Sequence, residues 1–408
     1  MAEPDTITLR RTYRFRLDVT PAQAERLEWT LRRCCRLYNE LLAERRDCYR
    51  WFGVSLSRND QINRLPAFKQ EHPEYLQIGS QVLQDVAKRV DRTFAGFFRR
   101  VREGSEKPGF PRFRPHQRYD SFTYGPSAGW KLDNYALVLT GIGALDVRWS
   151  RAVQGTVKEV TISRDVDQWY VEFSCALTLP TPVPSSLPAT GIDRNVKELA
   201  TCADGTVLPN VRCAKRSADT LARQQQVLAR RQGGKGKPSS RRRKKQRVLV
   251  AKVHRNVRRQ RTDHLHKMAN RVIARFGTIY LEDLRITNLT KRVTPKLDAE
   301  QTAEEGKPVY LPNGQRAKSG LNRAILDVGW RQFACFLAHK AAWAGARVGY
   351  VPAAYTTQTC SRCGRRAPRP LTLADRWFEC VYCGLSKDRD ENAACTILRA
   401  GLARQSTA

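Results

Sequence analysis

The first 118 residues contain one strand pattern followed by two helical patterns. Apolar and polar side chains alternate from Tyr13 to Val19, which predicts a strand. Thr20-Pro21-Ala22-Gln23 then combines an N-cap, a proline at the first helical position and a capping-box glutamine, so a helix begins there. Apolar residues spaced three or four apart continue this helix and recur in a second one, from about Ser80 to Val101. The breaker-rich PGFPRFRP, residues 108–115, predicts the end of this helical domain.

From about Phe122 to Leu179 the apolar period changes to two. The segment KEVTISRDVDQWYVEFSCAL predicts two strands joined by a short polar turn, within a small β-barrel or sheet. Four prolines between residues 180 and 188 then indicate a linker, and GIDRNVKELATCADGTVLP predicts two further strands.

Three acidic residues stand at the ends of predicted elements. Asp193 lies in the apolar strand that contains GID, and Glu282 ends a buried strand that spans Thr278 to Leu281. An unpaired carboxylate in such a strand is costly unless it binds a cation. Asp390 precedes a small-residue helical stretch, where capping of a helix would by itself explain the acidic DRDEN. Neighbouring strands and a helix that carry one acid each could bring the three together.

The charge of the chain indicates a polyanionic partner. It has 73 Lys and Arg against 39 Asp and Glu, a formal net charge of +34 on 408 residues. Nucleic acid is the first candidate, because neutralised phosphates release counterions. An anionic membrane is the rival, but no run approaches the roughly 18 to 20 apolar residues of a membrane span. The N-terminus also lacks the apolar core of a signal peptide. We therefore expect a cytoplasmic protein with no membrane partner.

Four of the 12 cysteines have the spacing of a metal site. They form C-x2-C-x16-C-x2-C, which is typical of a zinc ribbon, at Cys360, Cys363, Cys380 and Cys383. Four thiolates leave no open position for a substrate, so the single zinc ion is expected to be structural. The other cysteines show no paired spacing and are interpreted as packing residues.

A long basic segment, RRQGGKGKPSSRRRKKQR at residues 230–247, joins two helical stretches. It is either a solvated loop or a phosphate-binding segment, and both can hold if a disordered loop orders on a bound strand. Its candidate nucleic-acid contacts are Arg241, Arg242 and Arg243.

Several motifs together resemble one family. GIDRNVKELA, YLEDL, the two knuckles TTQTCSRCG and CVYCG, and KDRDENAACTIL look like the split RuvC nuclease of the TnpB proteins that insertion sequences encode, and of the related compact type V CRISPR effectors. YRFRL, RLYNELL, PGFPRFR and GWRQFACFLAHKAAWAG extend the resemblance over most of the chain.

The resemblance implies an RNA-guided DNA endonuclease with an RNase H-like domain. Asp193, Glu282 and Asp390 would be the catalytic acids and would hold two Mg²⁺ ions, as two-metal hydrolysis requires. Asp390 matches the aspartate of the family motif D-x-N-A-A, so Asp388 is expected to start the helix or to lie outside the metal ligands. Asn195 stands where many relatives have glycine.

The resemblance also implies a multidomain α/β architecture. A β-barrel wedge domain would span residues 1–20 and 119–188, and a helical recognition domain residues 21–118. The split RuvC domain would span residues 189–354 and 384–408, around a zinc ribbon at residues 355–383. The partners would be a guide RNA and target double-stranded DNA next to a short flanking motif. Gln81 is a candidate contact to that motif, and Arg112 and Arg114 to phosphates.

Three other classes compete with this interpretation. A DDE transposase carries its acids in the order Asp, Asp, Glu, whereas the order here is Asp, Glu, Asp. A nuclease-weak RNA-guided DNA-binding repressor would have lost at least one acid. A compact type V CRISPR effector stays open beside a transposon-associated TnpB, because the protein sequence alone does not separate the two.

Overall fold

The computed structural model describes residues 6–126, 128–133, 135–233, 239–302, 308–372 and 374–405. It divides into two compact units, Met1–Pro180 and Thr181–Ala408. No helix within these described ranges is long and apolar enough to span a membrane.

The helices of the first unit begin where the capping residues predict. Helix α1 (Pro21–Phe52) follows strand β1 (Thr6–Asp18), and the capping box of Thr20 and Gln23 is present in both directions. Helix α3 (Ser80–Arg102) matches the second predicted helix. Helix α2 (Arg58–Glu71) and a 3₁₀ turn (Pro73–Gln77) were not predicted. Helix α2 has only two buried residues, Gln61 and Leu65, so it carries almost no apolar period.

The rest of the first unit is one antiparallel sheet that consists of β1 and six further strands: β2 (Ser121–Tyr124), β3 (Trp130–Asp133), β4 (Ala136–Leu139), β5 (Gly143–Arg148), β6 (Thr156–Asp165) and β7 (Gln168–Pro180). The strand order is β2-β6-β7-β1-β5-β4-β3. A short 3₁₀ turn (His116–Arg118) precedes β2. Strand β1 pairs with β7 along twelve residues, which places the N-terminal strand inside the sheet. The strand order begins at β2 and ends at β3, so these are the edge strands of a nearly closed sheet, and full closure into the expected barrel stays a prediction.

The second unit begins with three strands and a group of helices. These are β8 (Ala189–Asp193), β9 (Ala200–Cys202), β10 (Val207–Leu208), α4 (Cys213–Arg216), α5 (Ala218–Arg230) and α6 (Arg241–Ile273). The chain continues through β11 (Thr278–Glu282), α7 (Ile286–Leu289), β12 (Lys296–Thr302), β13 (Pro308–Leu311), α8 (Gln315–Val328), α9 (Trp330–Ala344) and β14 (Arg347–Val351). It ends with β15 (Trp377–Glu379), β16 (Ser386–Asp388) and α10 (Arg389–Gln405). The hairpins β12–β13 and β15–β16 form two small sheets.

The main sheet of this unit has the order β10-β9-β8-β11-β14. Strands β8, β11 and β14 are parallel, and β9 and β10 run antiparallel to their neighbours. Successive side chains of β11 point to opposite faces, as the pleat requires. Ile279 and Leu281 pack with Leu265 of α6 and Phe333 of α9, whereas Tyr280 packs with Ile397 of α10. Helices therefore cover both faces of β11.

The basic segment differs from the predicted loop. Residues 241–247 are the first turns of α6, because Ser240 is an N-cap whose Oγ accepts a hydrogen bond from the backbone N–H of Arg243 at 3.2 Å. The loop interpretation is therefore wrong for residues 241–247. Residues 234–238 lie outside the described part of the chain.

Candidate functional site

Two parallel strands place Asp193 and Glu282 next to each other. Asp193 is the last residue of β8, and Glu282 is the last residue of β11. The register pairs Ile192 with Leu281, so the next residues of the two strands are the two acids. The carboxyl ends of parallel strands meet at one edge of a sheet. Both side chains are buried, at 5% and 6% exposure.

Helix α10 brings Asp390 to the same edge. Asp390 is the second residue of α10, and the helix packs closely on β8. Gly191 of β8 permits this approach: a Cβ on Gly191 would lie 2.2 Å from the carbonyl oxygen of Ala394 and 2.4 Å from the backbone nitrogen of Leu398. Only a residue without a side chain fits between this strand and this helix.

The electrostatics of Asp193 reflect its burial among other acids. Burial raises the pKa of Asp193 to about 8, and the charges of Glu282 and Asp390 add to the rise, against Arg389 and Arg194. Burial also raises the pKa of Glu282, which a hydrogen bond from Thr356 and the charge of Arg194 oppose. The site therefore favours either a proton or a cation on its carboxylates.

Two arginines adjoin the acids. Arg194 is 7% exposed and donates a hydrogen bond from Nη2 to the backbone carbonyl oxygen of Glu282. Arg389 donates from Nε and Nη2 to Oδ1 of Asp390 at 3.3 and 3.2 Å. Each arginine directly follows or precedes an acid in the sequence. That adjacency was the available signal, and sequence reasoning did not use it.

Asn195 holds the other oxygen of Asp390. Its Nδ2 donates to Oδ2 of Asp390 at 3.2 Å, across 195 positions of sequence. Sequence reasoning treated Asn195 only as a substitute for glycine, because nothing local indicates a partner so distant in the chain.

Asp388 caps α10, as predicted. Its Oδ1 accepts the backbone N–H groups of Asp390 and Glu391 at 2.9 and 3.2 Å. These hydrogen bonds satisfy two of the unpaired donors of the first helical turn. Asp388 therefore fixes the start of the helix that carries Asp390.

The four cysteines form two equivalent knuckles whose sulfur atoms converge. The Sγ atoms of all four lie within 4.8 Å of one another, with Cys360 and Cys383 at 3.6 Å and Cys363 and Cys380 at 3.6 Å. In each knuckle the backbone N–H of a glycine donates to a cysteine carbonyl oxygen at 2.9 Å. Gly364 donates to Cys360, and Gly384 donates to Cys380. Within the described ranges, no other group of three or more His, Cys, Asp or Glu side chains converges in this way. The cluster could hold a metal ion.

A buried asparagine ties the cysteine cluster to α10. Asn392 is fully buried; its Oδ1 accepts the backbone N–H of Ser361 at 3.0 Å, and its Nδ2 donates to the carbonyl oxygen of Thr359 at 2.9 Å. Thr396 adds a hydrogen bond from Oγ1 to the same carbonyl oxygen at 3.1 Å. The first knuckle and the helix that carries Asp390 are thus one packed assembly.

The predicted nucleic-acid contacts lie on other elements than the three acids. Gln81 is in the first turn of α3, against Gly125. Arg112 is exposed, and the backbone of Arg114 is held by Asn39, which accepts its N–H at 2.8 Å. The remaining candidates form the first turn of α6, namely Arg241, Arg242 and Arg243. Their contacts with nucleic acid stay predictions.

Two family models match the chain. "Probable transposase" (OrfB_IS605) matches residues 166–293, which include Asp193 and Glu282, and "Cas12f1-like, TNB domain" matches residues 330–397, which include the four cysteines and Asp390.

Curated relatives match most of the chain. It is 34% identical over 322 residues to "Putative RNA-guided DNA endonuclease InsQ" of Escherichia coli (strain K12), covering 79% of this chain and 74% of that protein. It is 31% identical over 408 residues to "Putative RNA-guided DNA endonuclease" of Streptomyces pristinaespiralis, covering 97% and 90%. A mimivirus relative, "TnpB-like protein L79" of Acanthamoeba polyphaga mimivirus, is 26% identical over 60% of this chain and 44% of its own length. The chain belongs to the TnpB family of RNA-guided DNA endonucleases.

Solved structures resemble the chain more weakly. A compact CRISPR endonuclease, "Structure of the mini-RNA-guided endonuclease CRISPR-Cas_phi3", gives a TM-score of 0.47 at 11% identity over 97% of this chain and 92% of its own. The "Cryo-EM structure of the Cas12f1-sgRNA-target DNA complex" gives 0.34 at 14% identity over 96% and 99%. These scores are too low to define the domain architecture.

Proposed function

We propose that this protein is an RNA-guided DNA endonuclease of the transposon-associated TnpB type. It uses a guide RNA to recognise double-stranded DNA next to a short flanking motif, and it hydrolyses phosphodiester bonds of that DNA. The observation that supports the cleavage is the position of three acids at one sheet edge. Asp193 and Glu282 are buried at the ends of adjacent parallel strands, and Asp390 lies near enough for its charge to raise the pKa of Asp193. The three carboxylates stand farther apart than the cysteine sulfur atoms do. Family membership supports the guide and the target, and the match to "Probable transposase" favours the transposon context over a CRISPR context.

Asp193, Glu282 and Asp390 are the proposed catalytic acids, in a RuvC-type, RNase H-like domain. The sheet order β10-β9-β8-β11-β14 supports this assignment. The adjacent strands β8 and β11 each end in an acid, and α10, the last helix, carries the third. The acids fit a divalent cation, because hard oxygen ligands suit Mg²⁺ and because a cation would offset the repulsion from Glu282 and Asp390 that contributes to the raised pKa of Asp193.

Two Mg²⁺ ions, when bound, supply positive charge to the scissile phosphate and activate water. The chain itself contributes the arrangement that makes this possible. Strand pairing fixes Asp193 beside Glu282, and the hydrogen bond from Thr356 orients the Glu282 carboxylate. The buried charge of Arg194 offsets part of the repulsion between the acids.

The cysteine cluster is the proposed site of one structural zinc ion. Four thiolates at the distances of the cluster are the soft donor set that zinc selects, and they leave no position for a substrate. Through Asn392, zinc at this site would stabilise the start of α10 and so the position of Asp390. Its role would be structural.

The proposed division of labour follows the domains predicted from the sequence. The sheet and helices of residues 1–188 would hold the heteroduplex and the flanking motif, with Gln81, Arg112 and Arg114 as contacts. The first turn of α6 would bind phosphate through Arg241, Arg242 and Arg243, supported by its three consecutive arginines and the net charge of +34.

Sequencing the RNA that copurifies with the protein, followed by cleavage of a DNA that matches it, tests the function. We expect Mg²⁺-dependent cleavage only with the matching RNA. Asp193→Ala should reduce cleavage by about 10²-fold or more and should keep guide-dependent DNA binding, because the acid contributes to the chemistry. Equal cleavage with and without RNA, or full activity of Asp193→Ala, would refute the proposal.

A further inference from the structure

We propose that Asn195 and Arg389 divide the control of the Asp390 carboxylate. Asn195 is a positioning residue that aims Asp390 at a divalent cation, and Arg389 is the positive group that this cation displaces. The inference rests on the function proposed above, because it assigns roles within that metal site. It concerns two residues that donate to different oxygen atoms of the same carboxylate.

Hydrogen bonds to other residues hold both the side chain and the backbone of Asn195. Its Oδ1 accepts the backbone N–H of Glu198 at 2.7 Å, and its backbone carbonyl oxygen accepts Nε1–H of Trp330 at 3.2 Å. Trp330 is itself buried at the start of α9. The Asn195 amide therefore has its NH₂ group left, and that group donates to Oδ2 of Asp390 at 3.2 Å. Because Oδ1 of the same amide is held by Glu198, the NH₂ group of Asn195 restricts the direction of the carboxylate that it contacts.

Arg389 is a charged donor to the other carboxylate oxygen of Asp390, Oδ1. Its Nε and Nη2 donate to Oδ1 of Asp390, while Nη1 donates to the carbonyl oxygen of Thr372 at 3.0 Å. A guanidinium stays protonated at any working pH, so it repels a cation that approaches the same oxygen. The carbonyl of Thr372 offers the guanidinium a partner that does not depend on Asp390. Arg389 can therefore leave Oδ1 without losing every hydrogen bond.

The two contacts differ in their expected effect on the cation. A neutral donor such as Asn195 does not compete with a divalent ion, so its loss leaves the carboxylate free to turn and weakens binding. Loss of such an outer partner typically reduces metal affinity about tenfold or more. Loss of the Arg389 charge removes a competitor and should leave the affinity equal or higher. A merely structural role for both residues would weaken binding in both variants.

The experiment is a Mn²⁺ titration of the full-length, zinc-loaded protein, with free Mn²⁺ followed by electron paramagnetic resonance. The binding component that is missing in Asp390→Ala defines the site. We expect Asn195→Ala to weaken this component about tenfold and Arg389→Gln to leave it unchanged or tighter. Asn210→Ala is the matched control: Asn210 donates to the carbonyl oxygen of Val196 at 2.9 Å, in the same turn, and the structure gives it no hydrogen bond to the acids. It should bind Mn²⁺ like wild type.

Three results would overturn the inference. Binding by Asn195→Ala within twofold of wild type would remove the positioning role. Binding by Arg389→Gln as weak as that of Asn195→Ala would make Arg389 a second positioning residue. Both results leave the proposed function intact. Equal binding by Asp390→Ala and wild type would instead show that Asp390 holds no ion, and would remove the proposed metal site together with this inference.

Discussion

Gly191 packs so closely against Ala394 that a Cβ on the glycine would lie 2.2 Å from the carbonyl oxygen of Ala394. The first residue belongs to the strand that ends in Asp193, and the second to the helix that begins with Asp390. The closeness of these two backbones thus sets the distance between two of the proposed catalytic acids.

Gly191→Ala should therefore separate the strand from the helix. The Cβ would meet backbone atoms of Ala394 and Leu398, which cannot rotate away as a side chain can. Overpacking of this kind costs about 1–3 kcal/mol of unfolding free energy, and cleavage should fall further than stability because Asp390 shifts. Thermal unfolding and cleavage rates measure the two effects. Gly320→Ala is the control, since a Cβ there meets nothing within 4 Å inside α8. A fully active Gly191→Ala would contradict the close packing.

Asp193→Asn should stabilise the protein in the absence of Mg²⁺, increasingly as the pH rises. The folded-state pKa is raised to about 8 from 3.8, so the unfolded state loses its proton first. Wild-type stability is therefore fully present below pH 3.8 and declines up to about pH 8, whereas an asparagine has no such decline. Thermal melts between about pH 5 and 8, without chelator so that zinc is retained, should show a growing difference.

The matched control for that series is Asp60→Asn. Hydrogen bonds with Ser57 lower the pKa of Asp60, so its titration is complete below about pH 5. Its difference from wild type should stay constant over the same pH range. If the Asp193→Asn difference is also constant, burial does not raise the pKa of Asp193 as described.

Cys363→Ser should remove zinc and weaken the start of α10. One zinc ion per chain is expected by elemental analysis of wild type, and none in the variant, because three thiolates and a hydroxyl form a poor tetrahedral site. The unfolding temperature and the cleavage rate should both fall. Cys335→Ser, at an exposed thiol outside the cluster, should retain zinc and activity. Wild-type protein that folds without zinc would refute the assignment.

Asp388→Ala should lower stability by about 1 kcal/mol, the usual effect of losing a helix cap. Its effect on cleavage should be much smaller than that of Asp390→Ala, because Asp388 binds backbone N–H groups. Asp388→Ser retains a capping oxygen and should recover most of the stability. Loss of activity as complete as in Asp390→Ala would place Asp388 among the metal ligands.

Replacing Arg241, Arg242 and Arg243 with glutamine should flatten the salt dependence of guide-RNA binding. Removing one bond to phosphate reduces the slope of log K against log salt by about 0.7, so removing three reduces it by about 2. The control removes three cations that are already paired with carboxylates, at Arg36, Arg64 and Lys267. It should change the slope less. Equal slopes in wild type and the α6 variant would show that this turn does not bind phosphate.

The sequence predicts local structure well where one residue type has one physical role. Thr20, Pro21 and Gln23 define a helix start that depends only on adjacent backbone, and the cysteine spacing likewise gathers its four sulfur atoms. The predicted loop at residues 241–247 failed because consecutive arginines hide any apolar period, although Ser240 was a recognisable cap.

Within the candidate site, the three acids have sequence signals, and so do the arginines adjacent to them, whereas the contact from Asn195 has none. Asp193 and Glu282 each end an apolar strand, which is a visible pattern, and family motifs identified Asp390. The hydrogen bond from Asn195 to Asp390 depends on the packing of α10 against β8 and joins residues from distant parts of the chain. Strand register and helix packing decide such contacts, and neither has a local signal.

The hydrogen bond between Ser361 and Asn392 connects the proposed nuclease site with the cysteine cluster. Cys363 and Cys383 are partly exposed, and oxidation of either thiolate to a sulfenic acid or a disulfide would expel a zinc ion held by the cluster. The first knuckle would then lose its shape, and Asn392 its two backbone partners at Ser361 and Thr359. Oxidation of the cysteines would thereby disturb the start of α10 and with it the position of Asp390. DNA cleavage should decline in an oxidised cell and return with reductant and zinc.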